Sequence, residues 1–156
     1  MRRAYVISAV VIGAAAAFGI VLALGVFAGD PSLEEFQTEV AHARNRTDAS
    51  LEFMAKATTW DDLLERMEAA GDQARTAGGD LDAAGSPSDL QEEAAELVIA
   101  LRALGDELSA TAEALDDPNF EDSNIQGLNF DNWNRVQKAL AALREQGIEV
   151  LPLQRY

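Results

Sequence analysis

Asp122, Asn124 and Gln126 alternate ahead of Gly127 in the stretch FEDSNIQGLNFDNW, residues 120–133. Oxygen-bearing side chains at loop positions 1, 3 and 5, with glycine at 6, are how a calcium-binding loop begins. That chemistry then needs a bidentate carboxylate at position 12. Counted from Asp122, position 12 is Trp133, and position 8, usually apolar, is Asn129. The strongest cation contact is therefore missing, and Asp122, Asn124 and Gln126 stand as weak metal candidates only. Asp, Asn, Pro and Gly over 116–127 are also what a connection between helices requires. Within this polar connection lie Phe120, Ile125, Leu128, Phe130 and Trp133. Five apolar side chains in one long loop either cap the open end of a bundle or anchor a partner, where aromatics carry the energy.

The loop thus resembles an EF-hand in its first half only. A second metal pattern is Glu39-Val40-Ala41-His42. Glu-x-x-His on a helix puts both ligands on one face, as in carboxylate-bridged di-iron bundles, but such a site needs the motif twice. His42 is the single histidine of the chain, so only a homodimer could complete it. With Arg44 and Arg46 nearby, His42 reads as part of a solvated basic patch. Catalytic parts are missing too: there is no cysteine, no histidine near a serine and no glycine-rich phosphate loop. Acidic pairs such as Asp61-Asp62 and Glu92-Glu93 point different ways on a helix. No catalytic residue and no cofactor are expected, and the chain is not read as an enzyme.

Helical periodicity must position these residues. Ser32 followed by Glu35 is a capping-box pattern. Leu33, Phe36, Val40, Ala43, Thr47, Leu51 and Met54 continue it as one apolar stripe, predicting a helix over about 33–57. Its middle is polarised by NRTD at 45–48. Thr58 or Thr59 can cap a second helix over 60–83, with the stripe Trp60, Leu63, Leu64, Met67, Ala70, Ala74, Ala77 and Leu81. Ser86 or Ser88 can cap a third over 88–115, whose Leu90, Ala94, Leu97, Leu101, Leu104, Leu108, Thr111 and Leu115 hold a heptad spacing. After the loop 116–131, Asp131 or Asn132 caps a short helix over 132–146 that carries Trp133, Val136, Leu140 and Leu143. Gly147 ends it, with Ile148 placed to pack on Leu143 as in a Schellman motif. The tail 147–156 contains Pro152 and is expected to be extended. Short connections make consecutive helices antiparallel. The expected fold is all-α: an antiparallel up-down bundle of three long helices and one short helix, preceded by a single transmembrane helix.

That first helix is the uncharged run of 26 residues from Ala4 to Gly29. At 1.5 Å per residue it spans about 39 Å, enough for a hydrocarbon core of about 30 Å. It is longer than the core of a signal peptide, so an uncleaved signal-anchor is expected, with secretion as the outcome if it is cut after Ala28. Residues 1–3 form a stub whose Arg2 and Arg3 face the cytoplasm by the positive-inside rule, leaving 30–156 outside the cell membrane. Ala9, Gly13 and Ala17, and Ala15, Gly19 and Ala23, follow the small-xxx-small spacing that lets membrane helices pair. The outer part holds all 27 acidic residues against 10 of the 12 basic ones, which disfavours nucleic acid.

The functional expectation is a single-pass helical module working through protein–protein contact, with a protein partner or a homo-oligomer, such as an accessory subunit or scaffold of an envelope complex. Its contact candidates are Phe120, Ile125, Leu128, Phe130 and Trp133, with Leu151, Leu153 and Tyr156 of the tail. The rival is an extracytoplasmic ligand- or metal-binding bundle, similar in outline to the sensor bundles of membrane receptors, and a secreted enzyme is third.

Overall fold

A computed structural model describes residues 31–117 and 130–156. These residues form four helices and no strand: α1 (Leu33–Ala55), α2 (Trp60–Ala84), α3 (Gln91–Leu115) and α4 (Asp131–Glu145). The run 4–29, with its small-residue stripes, and the loop residues Phe120, Asp122, Asn124, Ile125, Gln126 and Leu128 lie outside the described residues. Among those described, no helix is long and apolar enough to cross a membrane.

The helix ends follow local chemistry. Ser32 Oγ accepts from Glu35 N–H at 3.2 Å while the Glu35 carboxylate accepts from Ser32 N–H at 2.9 Å, closing the capping box. That bond to Ser32 N–H holds the Glu35 carboxyl below its ordinary range. Thr59 caps α2 by accepting from Asp62 N–H. At the end of α4, Ile148 N–H donates to Leu143 C=O and Gly147 N–H to Arg144 C=O, each at 3.0 Å, with Gly147 at φ +92°. This is the Schellman pattern, and the positive φ is why glycine stands there.

Two caps differ from expectation. Neither Ser86 nor Ser88 caps α3; the cap position is Leu90, with no side-chain cap bond. Leu90 is buried and its N–H bonds to the Pro87 carbonyl, so a turn anchored in the core delays the helix until Gln91. Helix α4 has Phe130 at its cap position, and its first amides are met from another helix. The Glu107 carboxylate of α3 accepts from Asp131 N–H and Asn132 N–H, both at 3.1 Å. A negative group at the positive end of a helix stabilises it, by about 1 kcal/mol for a cap of this kind. Glu107→Ala is therefore expected to lower stability by about 1 kcal/mol, read by urea unfolding, and to fray the start of α4 in hydrogen exchange.

Cross-helix ion pairs give the helix directions. Arg46 of α1 meets Asp80 of α2, Arg75 and Asp82 of α2 meet Asp106 and Arg102 of α3, and Arg135 of α4 meets Glu96. The Arg66 bond to the Phe53 carbonyl is a second tie between α1 and α2, and Glu107 at the start of α4 is a second between α3 and α4. In every pairing one number rises as the other falls, so consecutive helices run antiparallel. Each packs on its sequence neighbour, while the backbones of α1 and α4 stay further apart, with no Cα of one within 8 Å of the other. The extended tail fills the seam between them. Its Ile148, Val150 and Leu153 are buried together with Phe36, Val40 and Leu51 of α1 and Val136, Leu140 and Leu143 of α4 in one core. Leu153, expected to face a partner, is 3% exposed and belongs to that core.

Candidate partner-binding site

The end of the bundle remote from Ser32 collects the C-terminus of α1, the N-termini of α2 and α4, and the end of the tail. A cleft of about 390 Å³ opens there, lined by Leu51 and Met54 of α1, Phe130 just before α4, Trp133 of α4, and Tyr156. Phe130 and Trp133 are partly buried against the core, while Tyr156 is 52% exposed. Arg155 places its guanidinium 4.9 Å from the Trp133 ring centroid. Two further aromatics are exposed at this end, Phe53 on the last turn of α1 and Trp60 on the first turn of α2. Over the Phe53 ring, at 4.2 Å, sits Arg66, which also pairs with Asp62 and donates to the Phe53 carbonyl. Such cation–ring contacts hold aromatics in place at a surface, at about 0.5–1 kcal/mol each.

Three of the sequence candidates, Phe130, Trp133 and Tyr156, are thus brought to one cleft. Leu151 lies apart from it, on the outer side of the tail and 67% exposed. Trp60, read as the first core residue of the α2 stripe, is 42% exposed instead, because α2 begins at it and the stripe is buried only from Met67 onward. Phe53 carried no signal in the sequence, since it falls off the α1 stripe. Among the described residues no group of three or more His, Asp or Glu is placed to hold a metal. His42 is exposed, with its ring 4.0 Å from Glu39.

Arg44 does not belong to a solvated patch around His42. It is 7% exposed, as is Asp48 one turn on, and the two pair at 3.3 Å inside the seam. Arg44 donates through Nε and Nη2 to the Pro152 carbonyl and through Nη1 to Asn45. Asp48 accepts from Gln154 N–H and from the Tyr156 hydroxyl, each at 2.7 Å. Across the seam, the Gln137 amide donates to Leu153 C=O at 2.6 Å and accepts from Leu153 N–H at 3.1 Å. The polar middle of α1 is therefore the face that clasps the tail. Thr47 and Ser50 satisfy their buried hydroxyls there by donating to the Ala43 and Thr47 carbonyls. No described buried side-chain nitrogen or oxygen lacks a partner.

No family model, curated protein or solved structure matches this chain.

Tyr156 gives the clasp a pH signature. Its bond to the Asp48 carboxylate, with burial and the Asp48 charge adding, pushes the phenol up to about 12 from an ordinary 10. The protonated phenol is favoured in the folded state, so its contribution is complete below pH 10 and is lost as pH rises through 12. Wild type is expected to lose stability over pH 10–12 more steeply than Tyr156→Phe, which thermal melts across that range would show.

Proposed function

We propose that this chain is a membrane-anchored, extracytoplasmic helical module that works by protein–protein contact, as an accessory subunit or scaffold of an envelope complex. The observation that carries the reading is that exposed Phe53, Trp60 and Tyr156 all stand at one end of the bundle, Tyr156 in the cleft beside Trp133, in a chain of net charge −15. Monomeric proteins seldom leave large aromatics grouped in water, and partner contacts concentrate their energy in such residues. The apolar run 4–29 supports the anchoring half of the proposal, since it leads directly into the capped start of α1. Along the 23 residues of α1 the aromatic end stands about 35 Å beyond that start.

In mild detergent, the wild-type chain should co-purify with one stoichiometric partner. Phe53→Ala/Trp60→Ala should reduce recovery of that partner at least tenfold, the equivalent of about 1.4 kcal/mol. Helicity should be unchanged, and stability lowered by no more than the lost Arg66–Phe53 contact contributes, about 0.5–1 kcal/mol. Undiminished recovery by a folded double variant would remove the aromatic end from the contact.

A second reading, a small apolar ligand held in the cleft, is favoured by the cleft itself, where three aromatic rings meet the polar ends of Asn134 and Gln154. A purified chain that is always alone, yet melts higher with an apolar small molecule, would favour it.

A further inference from the structure

The seam between α1 and α4 is built like a site that reads an extended peptide. Five bonds from groove side chains reach the main chain of the tail: two from Arg44 to Pro152 C=O, two between Gln137 and the N–H and C=O of Leu153, and one from Gln154 N–H to Asp48. Three apolar side chains, Ile148, Val150 and Leu153, enter the core between them. Main-chain bonds for affinity and spaced apolar anchors for specificity are the physics of extended-peptide recognition. Pro152, which has no N–H, sits where the groove asks only for a carbonyl.

The tail is held to its own α4 mainly through side chains: Gln137 on the Leu153 main chain, Arg155 over the Trp133 ring, and the shared core. Beyond the Ile148 bond that closes the Schellman motif, no backbone-to-backbone hydrogen bond ties residues 149–156 to a helix among the described residues. The hinge, Gly147, is exposed and has open space around it. Every clasp that holds the tail in its own groove would be made identically by the tail of a second copy, the condition under which segments exchange between protomers at low cost.

We propose that the α1–α4 groove is an exchangeable peptide site whose second occupant is the tail of another copy of this chain, two copies pairing reciprocally with each tail in the other's groove. This goes beyond contact at the aromatic end and does not depend on it.

Complementation between two broken copies of the full chain tests it. Gln137→Glu spoils the groove by setting a carboxylate against the Leu153 carbonyl, and leaves the tail intact. Leu153→Asp spoils the tail and leaves the groove intact. Each variant, tagged to differ in mass and held in detergent at about 0.3 M salt to screen its negative charge, should be a monomer alone. Mixed, they should form a heterodimer, because one intact tail then meets one intact groove. A mixture of two folded variants that stays monomeric overturns the proposal. Should either variant fail to melt cooperatively, a fluorescent peptide of residues 148–156 added to the wild-type chain decides instead. Saturable binding that Gln137→Glu weakens at least tenfold supports exchange, and no binding overturns it.

Discussion

Asp48→Ala is expected to lower the stability of the folded chain by about 3 kcal/mol, the cost of breaking a buried ion pair by removing one partner. Asp48 and Arg44 have side chains only 11% and 8% exposed, so removing the carboxylate leaves a guanidinium charge in the seam without its counter-ion. The same substitution strips the acceptor from Gln154 N–H and from the Tyr156 hydroxyl. The tail should therefore detach before the helices melt, seen as fast hydrogen exchange at 149–156 and loss of the alkaline transition of Tyr156. Replacing both charges, Arg44→Met/Asp48→Leu, should recover part of the loss, because a buried pair is far worse broken than absent. Urea unfolding of the three proteins measures this. A loss below about 0.5 kcal/mol for Asp48→Ala would place the pair in solvent and detach the tail from the account.

Gly105→Ala is the second large effect, and its sign is opposite to that of Gly79→Ala. Both glycines lie inside helices, where alanine is intrinsically better by about 1 kcal/mol. At Gly105 an added Cβ would stand 2.6 Å from the Gly71 carbonyl oxygen and 2.6 Å from Arg75 Cγ. The carbonyl is backbone and cannot step aside, so α2 and α3 must separate. Overpacking of this kind costs about 1–3 kcal/mol or more, which exceeds the propensity gain. A net loss of about 2 kcal/mol, or roughly 8 °C in Tm, is expected. At Gly79 nothing lies within 4 Å of the added methyl, so the full propensity gain should appear as a rise in stability of about 0.5–1 kcal/mol. Equal responses at the two positions would mean that α2 and α3 do not approach as closely as the glycines require.

What the sequence made legible was local. Ser32 with Glu35, a cap at Thr58 or Thr59 that falls on Thr59, and Gly147 before Ile148 are read correctly because a cap and its bond lie within a few residues. The leucines of α3 are read correctly because a heptad spacing names a buried face without naming what covers it. Arg44, Asp48 and Gln137 were not legible as a unit, since Arg44 and Asp48 bond to residues 106–108 positions away and no periodicity records such a pairing. Glu107 was missed for the same reason: in sequence it is one more outer acid of α3, and only the fold brings it to the start of α4. Trp60 shows the opposite failure. Its spacing fits the α2 stripe, but a stripe residue on the first turn has no neighbour to bury it, and the side chain faces water. For the candidate site, composition identified aromatics near the 116–131 connection, while Phe53 and Trp60 joined them only through the antiparallel arrangement of α1 and α2.

The central claim, contact with a protein partner through the aromatic end, is tested most directly by site-specific photo-crosslinking in native membranes. A benzophenone amino acid would be placed in turn at Phe53, Trp60 and Tyr156, and as a control at Ile99, an exposed apolar residue of α3. The account predicts one cross-linked protein, the same from all three positions at the aromatic end and absent from Ile99. Adducts equally strong from Ile99, or none from any of the three, would contradict it.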